Sequence, residues 1–171
     1  MVTLITGGVR SGKSAYALTF APTTGNRIFI ATSEPFDEAM QLRVKNHKIE
    51  REHMGFTTVE EPVQIPKMIK ANESKQVFLL IDCLTFWVNN LMHYNIDKAE
   101  MDTLFEELVE NLRNTPSDVI LITNETGWGN IPDNKVARNY NDILGRINQR
   151  IATVAEQVVC MVSGIPMKIK G

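Results

Sequence analysis

The sequence predicts an α/β fold, in which a mostly parallel sheet carries helices on both faces. Five short runs are rich in Val, Ile and Leu and do not alternate with polar residues, which is typical of strands buried on both faces. Helical patterns separate these runs, and this alternation predicts a doubly wound sheet. The predicted strands cover residues 2–6, 27–32, 76–82, 118–123 and 157–163, with residues 167–170 as a candidate edge strand.

Two of the helical patterns are well defined. The first predicted helix starts near Asp97, where Asp97 and Glu100 resemble a capping box, and stops before Pro116. The second runs from about residue 134 to residue 156. Each has apolar residues at helical spacing on one face. These are Met101, Leu104, Phe105, Leu108 and Leu112 in the first helix, and Tyr140, Leu144, Ile147, Ile151 and Ala155 in the second.

The composition is that of an ordinary globular protein. A length of 171 residues suits a single domain, residues 1–171. A net charge of −2 provides no basic field for nucleic acid. The sequence has no apolar stretch of membrane-spanning length and no signal-peptide pattern at its start, so we expect a cytoplasmic protein. Cys83 and Cys160 lie in separate apolar runs, which predicts two buried free thiols.

A glycine-rich loop follows the first predicted strand. Residues 7–14 match the Walker A pattern G-x-x-x-x-G-K-[ST], and a helix-compatible run follows at residues 15–21. The N–H groups of such a loop surround phosphates, and the helix N-terminus adds partial positive charge. We expect Lys13 to reach the β- and γ-phosphates and Ser14 to hold Mg²⁺. The predicted nucleotide-binding residues of this loop are Gly7, Gly8, Val9, Arg10, Ser11, Gly12, Lys13 and Ser14.

Small and polar residues follow the other predicted strands, at the edge where an open α/β sheet holds its ligand. They include Thr32 and Ser33, Asp82, and Glu125, which is a candidate base or metal contact. Asp82 closes a Walker B pattern, in which the acid holds Mg²⁺ directly or through water. Taken alone, Asp82 fits a helix N-cap equally well, and the Walker A loop favours the metal ligand. Trp128, in the loop after the fourth strand, fits a substrate contact and a packed loop anchor equally well.

A histidine between two arginines stands out in residues 37–52. Arg43, His47 and Arg51 are spaced i, i+4 and i+8, so that they share one face of a predicted helix. The arginines would lower the pKa of His47 and hold phosphate, and a neutral imidazole can attack phosphorus. The alternative is a surface histidine on a charged helix, which residue types alone favour because surface charge runs are common.

These motifs, taken in order, resemble the bifunctional adenosylcobinamide kinase/adenosylcobinamide-phosphate guanylyltransferases. Residues 6–14 resemble the T-G-G-x-R-S-G-K-S opening of that family, and residues 43–48 resemble its R-[IV]-x-x-H-[KR] helix. Similar blocks occur at residues 30–33, 59–62, 82–85, 123–125, 145–150 and 162–166. The resemblance spans essentially the whole chain.

The resemblance implies a RecA-like P-loop NTPase fold and two reactions of cobalamin biosynthesis. The first phosphorylates adenosylcobinamide with ATP or GTP, and the second transfers GMP from GTP to adenosylcobinamide phosphate through a guanylylated histidine. His47 matches that histidine, with Lys13 as a second catalytic residue and Mg²⁺ as the metal. The resemblance also implies a homotrimer. The further nucleotide-binding residues that we predict are Thr32, Ser33, Arg43, Arg51, Glu61 and Asp82.

Two other functions remain open from the residues. One is a P-loop kinase for a small alcohol, with no covalent nucleotidyl step. The other is a GTP-binding regulator, although the sequence contains no N-K-x-D guanine motif.

Overall fold

The structure, a computed structural model, describes residues 1–34, 49, 53–74, 76–129 and 131–171. In this part of the chain, seven strands form one sheet in the order β3-β2-β4-β5-β1-β6-β7. The strands are β1 Val2–Gly7, β2 Asn26–Ala31, β3 Phe56–Glu60, β4 Val77–Asp82, β5 Asp118–Ile122, β6 Gln157–Val162 and β7 Ile165–Lys170. The first six are parallel, and β7 pairs antiparallel with β6.

Five helices and one short 3₁₀ turn are described around the sheet. They are α1 Lys13–Leu18, α2 Ile65–Ala71, α3 Leu84–His93, α4 Lys98–Asn114, α5 Lys135–Val154 and the 3₁₀ turn Thr126–Trp128. Among the described residues, no helix has the length and hydropathy needed to cross a membrane.

Alternate residues of the strands enter two separate hydrophobic clusters, one on each face of the sheet. In β4, Leu79 and Ile81 pack with the cluster that includes residues of α2 to α5, whereas Phe78 and Leu80 pack with the cluster that includes Ala17 of α1. Each fully buried side chain of this size contributes about 1.5–3 kcal/mol. The predicted parallel sheet with helices on both faces is therefore confirmed.

The predicted strands correspond to β1, β2, β4, β5 and β6, and the candidate edge strand corresponds to β7. β3 was not predicted. It pairs only with β2 in the described sheet, and its residues are half-buried or exposed after Phe56, so that it lacks the continuous apolar run of the other parallel strands.

The two well-defined helices begin and end near the predicted residues. In α4, the Asp97 side chain accepts a 2.8 Å hydrogen bond from the backbone N–H of Glu100, as a capping residue does. In α5, Asn134 caps the first turn through a 2.7 Å bond from Val136 N–H. All the residues predicted for the α4 apolar face are buried, and so are Leu144, Ile147 and Ile151 of α5.

A buried tryptophan connects α3 to the loop before α2. Trp87 is fully buried, its indole N–H donates to the carbonyl of Val63 at 2.7 Å, and its ring packs 5.4 Å from that of Phe105. The predicted buried thiols are also confirmed, because Cys83 and Cys160 are both free and buried. His93 is the last residue of α3.

The strand register aligns the carboxyl ends of four neighbouring strands. Ala31 pairs with Asp82, Asp82 with Ile122, and Ile122 with Ile5. The segments that follow these residues therefore lie at one edge of the sheet, where parallel α/β proteins bind ligands.

Candidate functional site

The loop between β1 and α1 has the backbone conformation that a phosphate-binding loop requires. Gly7, Arg10 and Gly12 have positive φ angles of 139°, 56° and 93°. A Cβ on Gly7 would lie 2.5 Å from the carbonyl oxygen of Met161, so that no larger residue fits there without moving the backbone. The loop is also held by the bond from Gly164 N–H to the carbonyl of Ser11, at 3.0 Å.

The Lys13 ammonium lies within this loop. It donates to the carbonyl oxygens of Gly7 at 3.2 Å and Gly8 at 2.6 Å. Burial lowers the pKa of Lys13, and the nearby acidic groups of Cys83 and Asp82 act in the opposite direction. Lys13 is therefore positioned to exchange its carbonyl partners for phosphate oxygens, which carry more negative charge.

Ser14 and Asp82 meet across the edge of the sheet. The Ser14 hydroxyl donates to Oδ2 of Asp82 at 2.9 Å, which brings the last residue of the Walker A motif to the end of β4. A hydroxyl and a carboxylate are the oxygen donors that Mg²⁺ prefers. The described residues contain no cluster of three His, Cys, Asp or Glu side chains suited to a metal. The pair therefore fits a divalent cation that takes its remaining ligands from phosphates and water.

Glu125 lies next to the start of the loop. Its Oε1 accepts a 2.8 Å bond from the Thr6 hydroxyl, and its backbone N–H donates to the carbonyl of Gly7 at 3.4 Å. Glu125 follows β5, which lies between β1 and β4 in the sheet. A carboxylate therefore stands next to the phosphate loop. Thr6, which was not singled out from the sequence, is the residue that orients it.

Thr32 connects the end of β2 to the end of β4 through hydrogen bonds. It is fully buried, and its hydroxyl donates to the carbonyl of Cys83 and accepts from the N–H of Cys83, both at 2.7 Å. The Asn90 side chain donates to the carbonyls of Thr32 at 2.7 Å and Pro62 at 3.1 Å. Asn90 was also missed from the sequence, because it lies within the apolar pattern of α3. The role of Thr32 in nucleotide binding stays a prediction.

Glu61 has a similar local role. Its Oε1 accepts from the backbone N–H groups of Val63 at 2.9 Å and Gln64 at 2.7 Å, just before α2. Ser33 is half-buried beside the end of β2. Contacts of Glu61 and Ser33 with a nucleotide likewise stay predictions.

The remaining predicted residues fall into two groups. Val9 and Arg10 are exposed. Arg43, His47 and Arg51 lie outside the described residues, so that their predicted roles stay predictions.

Trp128 has 70% of its surface exposed. It lies in the 3₁₀ turn that starts one residue after Glu125. Of the two interpretations of Trp128, the exposed ring fits a substrate contact better than a packed anchor.

Two solved structures have the same fold as this chain. One is a prototypical ATPase from the type III secretion system of pathogenic bacteria, with a TM-score of 0.57 and 10% identity over 94% of this chain; this chain spans about half of it, 51%. Another is a Pyrococcus horikoshii OT3 protein, with a TM-score of 0.56 and 8% identity, covering 99% of this chain and 86% of that one. These likenesses show the α/β RecA-like fold.

Curated relatives match the chain over nearly its full length. The bifunctional adenosylcobalamin biosynthesis protein CobU of Escherichia coli K12 is 34% identical over 99% of this chain and 100% of its own. CobU of Salmonella typhimurium LT2 is 35% identical over the same shares of the two chains. CobP of Pseudomonas aeruginosa PAO1 is 37% identical over 98% of this chain and 96% of its own.

The family model described as cobinamide kinase / cobinamide phosphate guanyltransferase matches residues 3–169, a range that starts in β1 and ends in β7. With the phosphate loop, the Ser14–Asp82 pair and relatives at this identity, the chain belongs to the cobinamide kinase / cobinamide phosphate guanyltransferase family.

Proposed function

We propose that this protein phosphorylates adenosylcobinamide with ATP or GTP and then transfers GMP from GTP to adenosylcobinamide phosphate, in cobalamin biosynthesis. The observation that supports it best is the bond between Ser14 and Asp82 beside the Lys13 ammonium, in a chain of this family. It brings together the groups that a P-loop enzyme uses to hold and activate a triphosphate.

The phosphate loop would serve both reactions. The N–H groups of residues 7–14 surround the β- and γ-phosphates, and Lys13 balances their charge. Arg10 is exposed in the loop with a positive φ of 56°, a position from which a guanidinium can meet a phosphate oxygen. In the kinase reaction, the hydroxyl oxygen of the substrate attacks the γ-phosphorus and the bond to the β-phosphate oxygen breaks. Glu125 is the candidate base that accepts the hydroxyl proton.

The metal of this site would be Mg²⁺, held by Ser14 and by Asp82 directly or through water. When bound, Mg²⁺ supplies positive charge that orients the phosphates and offsets charge developing in transfer. The two protein oxygens lie 2.9 Å apart, and the shared hydrogen bond keeps the hydroxyl aimed toward the carboxylate before a nucleotide arrives.

GMP transfer would proceed through His47. Its neutral imidazole nitrogen attacks the α-phosphorus of GTP, a P–N bond forms, and the bond to the β-phosphate oxygen breaks with release of pyrophosphate. Loop N–H groups and Lys13 stabilise the departing charge, and Arg43 and Arg51 hold the GMP phosphate. A phosphate oxygen of the substrate then attacks the same phosphorus, and the P–N bond breaks.

Other nucleotide contacts, the assembly and the location are part of the same proposal. Thr32, Ser33 and Glu61 contribute at the ends of β2 and β3. The chain acts as one domain, assembles as a homotrimer and works in the cytoplasm.

The test is to incubate the protein with GTP and Mg²⁺ and to measure the mass of the intact chain. We expect a mass increase of one GMP, mapped to His47. His47→Ala should show no such increase, whereas the control His53→Ala, which changes a different histidine whose side chain is exposed, should be labelled as wild type. Labelling of His47→Ala at the wild-type level would refute the nucleophile. Phosphorylated cobinamide with no labelled protein would indicate a kinase alone, and GTP turnover insensitive to adenosylcobinamide would indicate a regulator.

A further inference from the structure

An open groove lies between the end of α3 and the start of α5. Its cavity volume is about 470 Å³. Half-buried Met92, Ala137 and Tyr140 supply its apolar part, and the exposed side chains of Asn89 and His93 line the α3 side. An apolar groove with a few polar groups is the usual form of a small-molecule site.

The groove is joined to the candidate active site through Tyr140. Its hydroxyl donates to the backbone carbonyl of Thr85 at 3.1 Å, and Thr85 follows Asp82 by three residues. Burial raises the pKa of Tyr140, so that the hydroxyl keeps its proton and this bond. From Thr85 the α3 side of the groove extends to His93, about 12 Å further along the helix axis at 1.5 Å per residue.

Exposed apolar side chains also occur in the segment that leads from Glu125 to the groove. Trp128, Ile131 and Val136 expose 70%, 83% and 63% of their surfaces, and Val136 also lines the groove. Trp128 is three residues beyond Glu125, whose side chain accepts a hydrogen bond from Thr6 of β1, the strand before the phosphate loop. Three large exposed apolar side chains within this short segment favour a binding surface over scattered surface apolar groups.

We propose that this groove and the apolar surface beside it bind the corrin ring of the cobinamide substrate. This inference rests on the proposed function. A corrin ring has broad apolar faces, which suit Trp128 and Val136, and a periphery of amide groups, which suit Asn89 and Asn134 on the two sides of the groove. The aminopropanol arm of the substrate then extends from the ring toward the phosphate loop, where its hydroxyl or its phosphate reacts.

A guanine base is the other ligand that this family brings to the edge of the sheet. It would fill only part of a groove of about 470 Å³ and would leave the exposed apolar side chains of Trp128 and Ile131 unused. We therefore assign the groove to the larger ring, and the experiment separates the two ligands.

The test compares two groove variants with a control on the same helix. Val136→Glu places a carboxylate on the groove in the first turn of α5, where negative charge is favourable to the helix. Ala137→Phe fills the apolar part. Asn139→Phe adds the same ring at an exposed position about 200° around the helix from Ala137. Binding of dicyanocobinamide is measured by equilibrium dialysis, and guanylylation by GTP, which needs no corrinoid, is measured by intact mass.

We expect both groove variants to weaken dicyanocobinamide binding by at least about tenfold, with guanylylation at the wild-type level and Asn139→Phe unchanged throughout. Wild-type dicyanocobinamide affinity in both Val136→Glu and Ala137→Phe would overturn the assignment. Unchanged dicyanocobinamide binding, together with a higher GTP concentration needed for guanylylation of the groove variants, would overturn the assignment in favour of guanine. Absence of both guanylylation and cobinamide phosphorylation in the wild type would instead reject the proposed function.

Discussion

Replacing Thr32 with Val should destabilise the fold, because it removes the hydroxyl that joins β2 to the end of β4. The substitution keeps the shape of the side chain and takes away both 2.7 Å bonds to Cys83. The carbonyl of Cys83 keeps a partner, because the N–H of Trp87 also donates to it at 3.1 Å. The N–H of Cys83 would lose the hydroxyl oxygen in a buried setting. The free energy of unfolding should therefore fall by about 2–4 kcal/mol, from about 1–3 kcal/mol for the unpaired N–H and about 1 kcal/mol for the second bond.

Urea denaturation of Thr32→Val and Thr32→Ser measures this loss. Thr32→Ser keeps the hydroxyl and loses one methyl group, which should lower the free energy of unfolding by only about 1 kcal/mol. With a urea m-value of roughly 2 kcal/mol/M, the valine variant should unfold at a midpoint about 1–2 M lower than wild type. A valine variant within about 0.5 kcal/mol of wild type, the ordinary range for an uninvolved position, would refute the structural role of the hydroxyl.

Two further predictions concern the phosphate loop and a buried thiol. Gly7→Ala should lower the free energy of unfolding by about 2–4 kcal/mol, because its Cβ meets the carbonyl of Met161 at a positive φ. Gly8→Ala, whose Cβ has no atom within 4 Å, should unfold like wild type in the same denaturation assay, and equal midpoints for the two variants would contradict the steric argument. Burial, with a smaller contribution from Asp82, raises the pKa of Cys83 from 9.0 to about 11, so that the folded chain keeps this proton more tightly than the unfolded chain. The contribution of this thiol to the free energy of unfolding should be complete below pH 9 and lost as the pH rises to 11. Denaturation curves across that range should show the loss in wild type and not in Cys83→Ala. The same pH dependence in both proteins would contradict the prediction.

The parts of the fold that the sequence predicts are those in which burial fixes the residue types. A central strand such as β4 is buried on both faces, so that its residues form a continuous apolar run. β3 escapes detection because only Phe56 of its five residues is fully buried. The start of α1 at Lys13 rather than residue 15 reflects the left-handed Gly12 that precedes it, a conformation that residue types do not specify.

The residues of the candidate site also differ in how well the sequence predicts their roles. Lys13, Ser14 and Asp82 belong to motifs whose chemistry requires those residues at that spacing, and the structure brings the three together. Thr32 and Glu61 are polar residues at strand ends, and polarity at this edge predicts ligand contact without distinguishing it from bonds to the backbone. The described part of the structure shows backbone bonds for both.

The two tryptophans of the chain lie in opposite environments, and this gives the protein two separate optical probes. The fluorescence of fully buried Trp87 should be shielded from a dissolved quencher such as iodide until the chain unfolds, whereas that of Trp128, 70% exposed, should be quenched in the native state. The accessible fraction of the emission then reports on the surface beside the phosphate loop, and the inaccessible fraction reports on the packing of α3. A single unlabelled sample can thus follow ligand binding and unfolding as distinct signals.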